Sequence, residues 1–199
     1  MGTLLLSVPA KLGGVKEMKT NKYLFLAVIG MMSSVVWAQA NVDLNTWSQK
    51  GVSSAGTWTV QGGGDSVFQS INGQPTYFVS PNDFFNTTIQ GRFRVETTGD
   101  DDYIGFVFGW NEPGDNSTNA TFKLLNWKQN NQNSSEAGFR LARVNGTSTP
   151  PFDSAENDSL PNYDVLAINT TSSNAGNIAG WADNTWYDFT LLYTDSRIK

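Results

Sequence analysis

Asp100-Asp101-Asp102-Tyr103-Ile104-Gly105-Phe106-Val107-Phe108-Gly109-Trp110 sets three carboxylates directly against a short, almost unbroken apolar run. A run of this length reads as a strand covered on both faces. Its two glycines, Gly105 and Gly109, mark bulges or places where another backbone or a ligand comes close. Three adjacent carboxylates repel one another, and beside a core they cost stability unless a cation compensates them. Calcium takes roughly six to eight oxygen ligands in loose geometry, and acidic loops at sheet edges supply them. Asp100, Asp101 and Asp102 are therefore the candidate metal ligands, with Ca2+ as the ion. Side chains alternate along an extended segment, so Asp100 and Asp102 share one face and Asp101 takes the other. The same triplet also suits a solvated acidic turn. Further oxygen donors are available at Asp65, Asn111, Glu112 and Asp115 if the fold gathers those loops.

Outward from this segment, short apolar runs and turn clusters alternate about every ten residues, the spacing of an all-β sandwich or barrel. Strands are expected at Thr57–Gln61, Val67–Ser70, Thr76–Val79, Thr87–Glu96, Tyr103–Trp110, Thr121–Lys128, Gly138–Val144, Asp164–Asn169 and Trp186–Tyr193. No segment carries a helical period. Gly62-Gly63-Gly64-Asp65, Ile71-Asn72-Gly73-Gln74-Pro75 and Asn145-Gly146 lie between these strands, and the Asn-Gly steps among them offer the positive φ that tight hairpins need. Phe93 and Val95 alternate with Arg92, Arg94 and Glu96, which gives that strand one core face and one wet face.

Composition narrows the chemistry. The 199 residues make one domain with material for a core, since 39% are hydrophobic and 13% aromatic. From Asn41 onward there are nine basic residues against 17 acidic ones, a net charge of −8. This argues against nucleic acid and anionic membrane surfaces as partners. Cysteine and histidine are absent, so disulfides, thiolate zinc sites and a Ser-His-Asp triad are excluded. A glycosidase needs two carboxyl groups across a cleft. The five glutamates, at 17, 96, 112, 136 and 156, supply no such spacing, and Glu156-Asn157-Asp158 is the nearest approach. Trp110, Trp127, Trp181 and Trp186 are candidate sugar-stacking platforms, although a sandwich more often uses tryptophan in its core.

The N-terminal part reads as targeting rather than fold. Met18-Lys-Thr-Asn-Lys22, the apolar stretch Tyr23 to Met32, and Ala38-Gln39-Ala40 form the ordered series of a secretory signal peptide. Residues 1–40 are expected to be an extension plus leader starting at Met18 and cleaved after Ala40, with Ala38 as the alternative site. Nothing after it suggests membrane insertion of the mature chain. At the other end, Thr194-Asp195-Ser196 turns the chain back into Arg197-Ile198-Lys199, a return arm too short to complete a hairpin.

Two motifs support a family. The segment Asp100–Trp110, followed by Phe122-Lys123-Leu124-Leu125-Asn126-Trp127-Lys128-Gln129, strongly resembles the D-D-D-Y-x-G-F-x-F-G-Y and F-Y-x-x-x-W-K-Q signatures of the thrombospondin C-terminal domain. Gly138-Phe139-Arg140-Leu141-Ala142-Arg143-Val144 and Gly180-Trp181-Ala182-Asp183 are similar to its G-x-x-L-x-x-V and G-W-x-D segments. The likeness runs from about Val42 to Lys199. It implies a legume-lectin-like (concanavalin-like) antiparallel jelly-roll β-sandwich over residues 41–199, lacking the last strands of the family. It further implies a secreted, calcium-binding, non-catalytic adhesion or extracellular interaction module. Its partner would be an extracellular protein or glycan, with a carbohydrate-binding module as the alternative and a glycoside hydrolase behind it. The family's acidic loop falls on Asp100, Asp101 and Asp102.

Overall fold

In a computed structural model of the chain, the described residues are 9–11, 40–99, 102–112, 119–132, 135–146, 162–169, 180–194 and 197–198. They form twelve strands. Two short ones come first, β1 (Pro9–Lys11) and β2 (Ala40–Asn41), followed by β3 (Ser48–Gly51), β4 (Trp58–Gln61), β5 (Ser66–Gln69) and β6 (Thr76–Val79). The longer strands are β7 (Thr87–Phe93), β8 (Tyr103–Asn111), β9 (Thr121–Lys128), β10 (Gly138–Asn145), β11 (Tyr163–Asn169) and β12 (Tyr187–Tyr193). The one helical element among the described residues is a 3-10 turn at Leu44–Thr46, capped by Asp43, whose carboxylate accepts from Asn45 N.

All pairings are antiparallel. One sheet runs β12-β7-β1-β2 and a second runs β11-β10-β9-β8, with β3-β6 and β4-β5 as separate pairs. The strands expected from alternation are thus present, with ends within a few residues. β3 was not anticipated, because Ser48-Gln49-Lys50-Gly51 has no apolar alternation; it forms by pairing Lys50 with Tyr77 and Gln49 with Phe78.

Registered partners share a face, which shows how the layers meet. Ile104, Phe106 and Trp127 from the second sheet pack with Phe93, Val95, Tyr187, Phe189 and Trp181. The opposite face, with Val107, Phe122, Leu124, Ala142, Val144 and Tyr163, packs under Tyr77 and Val79 of β6. β8 is therefore covered on both sides, as its composition predicts, although it stands last in its sheet. A third cluster, built on Val42, Leu44 and Val67, joins the β4–β5 hairpin to Ile89 and Phe189. This is the expected antiparallel β-sandwich.

Gly105 and Gly109 do what their position in β8 suggests. A Cβ on Gly105 would lie on the Leu125 carbonyl oxygen and 2.8 Å from Asn126 Cα, so only glycine lets β9 pair here. Gly109 has φ +60° where the β8–β9 register shifts between Phe108 and Asn111. The Gly62–Gly64 turn takes positive φ throughout, and Gly146 follows suit at 72°. Asn72-Gly73 departs from expectation, since Gly73 is not in the left-handed region. Its glycine serves a close approach, where a Cβ would stand 2.8 Å from Ala55 O. The β10–β11 ladder ends at Val144 and Tyr163, where Asn145 N donates to Asn162 O at 3.0 Å. At the chain end, Thr194 N donates to Arg197 O and Tyr193 bridges Ile198, so the anticipated return arm is present.

Candidate functional site

Asp102 enters β8 at the corner where the second sheet meets the segment before β12. Its carbonyl accepts from Gln129 N at 3.3 Å. The Gln129 side chain in turn donates to Asp183 Oδ1 at 3.1 Å. Gln129 thereby ties two half-buried aspartates, far apart in sequence, to one corner.

The Asp183 segment is fixed there by close packing. Trp181 is 3% exposed and donates from its indole nitrogen to Trp127 O at 3.1 Å. A Cβ on Gly180 would fall on the Gln129 carbonyl oxygen and within 2.9 Å of Gln129 Cα. Ala182 N donates to the Tyr187 hydroxyl, and Asn184 N donates to Val95 O. Glycine permits the approach, the buried tryptophan holds it, and the aspartate is left at the rim.

Asp100 and Asp101 lie outside the described residues, as does Asp115. Among the described residues no three acidic side chains converge. The other proposed donors are elsewhere. Asn111 ends β8 and Glu112 follows it, which by strand rise puts them ~30 Å from Asp102. Glu112 is also engaged, with Lys50 Nζ at 2.6 Å and the Trp110 indole at 3.4 Å. Asp65 sits in the β4–β5 turn and accepts from Ser66 Oγ. Sequence reasoning missed Asp183 as a neighbour of Asp102, although it lies in the Gly180–Asp183 segment already marked as family-like.

The same corner holds two buried cations. Lys128, cross-strand partner of Tyr103, is 0% exposed, and Arg140 is 1% exposed. Lys128 Nζ lies 4.7 Å and Arg140 Cζ 5.9 Å from the centre of the Tyr103 ring.

The four tryptophans named as sugar platforms are mostly structural. Trp127 and Trp181 are buried, and Trp110 stacks on Phe122 with centroids 4.7 Å apart. Trp186 is exposed, but Arg92 and Arg94 lie over its ring at 4.9 and 4.5 Å. A cavity of about 370 Å³ between β6 and β8 is lined by aromatic and aliphatic side chains such as Trp47, Trp58, Phe78 and Phe106.

Residues 53–197 match the thrombospondin C-terminal region. The chain belongs to this family. Among relatives of this thrombospondin C-terminal chain, cartilage oligomeric matrix protein of Rattus norvegicus is 28% identical over 146 residues, 68% of this chain and 18% of that protein. Thrombospondin-4-B of Danio rerio is 33% identical over 75 residues, 38% of this chain and 7% of that protein. Thrombospondin-4 of Xenopus laevis is 30% identical over 102 residues, 47% of this chain and 10% of that protein. The chain spans less than a fifth of the length of these curated relatives. Its matched region contains the Asp100–Asp102 triplet, and it contains Asp102, Gln129 and Asp183, which meet at one corner.

Proposed function

We propose that this thrombospondin C-terminal chain is a secreted, non-catalytic adhesion or interaction module whose acid loop is ordered by calcium. The observation that carries the calcium reading is the Gln129 link, which brings Asp183 to the corner where Asp102 leads into β8. The donor set is carboxylate and carbonyl oxygen, the hard ligands that calcium prefers. Asp100, Asp101 and Asp102 would hold the ion, with Asp183 at the same rim. Bound calcium neutralises the clustered charge. The chain's own contribution is to fix Asp102 and Asp183 at one corner through Gln129, Trp181 and Gly180.

Interaction rather than catalysis is favoured because the cavity between β6 and β8 is chiefly apolar and because the acid pair of a glycosidase has no counterpart in the sequence. The partner is an extracellular protein or a glycan, in keeping with matrix relatives and the leader-like Met18–Ala40 segment. A carbohydrate-binding module is the weaker reading, since two tryptophans are buried and guanidinium groups roof Trp186. Among the described residues no helix is long and apolar enough to cross a membrane.

Thermal melting in calcium and in chelator tests the proposal. A ligand at a hundred times its Kd stabilises the folded state by about 2.7 kcal/mol, which is a rise of roughly 5–10 °C for a domain of this size. An identical midpoint in both buffers removes calcium from the proposal.

A further inference from the structure

Among the described residues, β8 is paired on one side only, to β9, and β6 on one side only, to β3. Both strands border the cavity of about 370 Å³. A strand seen from one face shows alternate residues. Here the runs Ile104 to Trp110 and Thr76 to Val79 line the cavity without a gap, Gly105 and Gly109 included. A glycine has only backbone to offer, so the cavity meets β8 along its edge. Ile104, Phe106 and Val107 accordingly stay half-buried although clusters pack on both faces of the strand. An unpaired edge is a row of N–H and C=O groups that templates a further strand.

The walls state what such a strand must be. Tyr77 and Val107 come from one apolar cluster, Trp47 and Phe78 from another, and Phe106 and Phe189 from the side of the third. A strand laid beside β8 is therefore covered on both faces and needs a continuous apolar core rather than alternation. Among the described lining residues the two charged ones, Asp83 and Asp102, are both acidic.

We propose that this slot takes one extended polypeptide segment of a partner protein, which adds to the free edge of β8. The segment has an apolar core of roughly five residues, the usual length of a strand, and basic residues at its flanks. Main-chain hydrogen bonds supply affinity and the apolar walls supply selectivity. This assignment rests on the interaction reading given above and not on calcium, so calcium melting and peptide binding can fail separately.

The probe is a capped peptide with a Val/Phe core between lysine pairs, titrated into the full chain. Saturable binding is expected in tryptophan fluorescence, since Trp47 and Trp58 line the cavity, together with slower amide exchange within Ile104–Trp110. Methylating alternate backbone nitrogens of the core keeps its side chains and removes ladder donors, and should weaken binding about tenfold or more. Asp83→Lys, at an exposed position, should weaken the lysine-flanked peptide about threefold or more and strengthen a glutamate-flanked one. A fold defect cannot produce that reversal. No saturable binding up to millimolar peptide, or equal binding of the methylated peptide, overturns the proposal. Equal affinity of the parent chain for both flank types overturns the stated chemistry of the partner. Protection of the same amides by maltohexaose, or by self-association of the free chain, gives the slot to a glycan or a second copy and likewise overturns it.

Discussion

Replacing Gly180 with alanine strikes the contact on which the Asp102 corner depends. The new methyl would coincide with the Gln129 carbonyl oxygen and stand 2.9 Å from Gln129 Cα. Both are backbone atoms, so no side-chain rotation relieves the clash and the 180–183 segment has to lift. Lifting uncovers Trp181, now 3% exposed, and breaks its bond to Trp127 O. A tryptophan buries about 150–250 Å², worth about 4–6 kcal/mol at ~25 cal/mol per Å², and the hydrogen bond adds about 1 kcal/mol. Complete undocking therefore removes about 5–7 kcal/mol, a large share of the stability of an ordinary domain. If the ring stays half covered, the loss is about 2–3 kcal/mol, and the midpoint falls by roughly 5–10 °C. Calorimetry gives the midpoint, and near-ultraviolet circular dichroism reports the tryptophan environment. Gly99→Ala is the control, since nothing lies within 4 Å of a Cβ there. A Gly180→Ala protein that melts within 2 °C of the parent with an unchanged aromatic spectrum refutes the reasoning.

Burial, reinforced by Tyr163, pushes the Tyr77 hydroxyl far above its ordinary range. The unfolded chain releases this proton near pH 10 while the folded chain keeps it. Stability from this group is thus intact below pH ~10 and falls above it by about 1.4 kcal/mol per pH unit. Denaturation profiles of Tyr77→Phe should be flatter than those of the parent above pH ~10, and parallel curves count against this reading. Lys50→Met leaves the Glu112 side chain, 9% exposed, without its ion-pair partner. A loss of about 1–3 kcal/mol is expected in urea titration, with recovery when Glu112→Gln is added.

The fold was largely legible because its strands announce themselves through short apolar runs and turn chemistry. β8 was readable even in its details, since glycine in a covered strand has few uses, and Gly105 and Gly109 each serve one. β3 was not, because its polar residues become a strand only when β6 supplies the ladder. The corner was half legible. The acid triplet and the Gly180–Asp183 segment could be marked separately, but their meeting depends on a long-range contact through Gln129. Lys128 and Arg140 were named only as members of family-like segments, with no reading of their burial. A signal for Arg140 existed, because it shares its parity along β10 with Gly138, Ala142 and Val144, all buried.

The hydrogen bond that closes the β10–β11 ladder has a practical meaning. The chain leaves the sheet after Asn145 and rejoins it at Asn162 already in register. The pairing of these two strands is consequently set at the two residues that flank the 147–161 connection. That makes the connection the natural port for grafting an affinity tag or a reporter, since foreign sequence there starts and finishes on a knot the sheet has already tied.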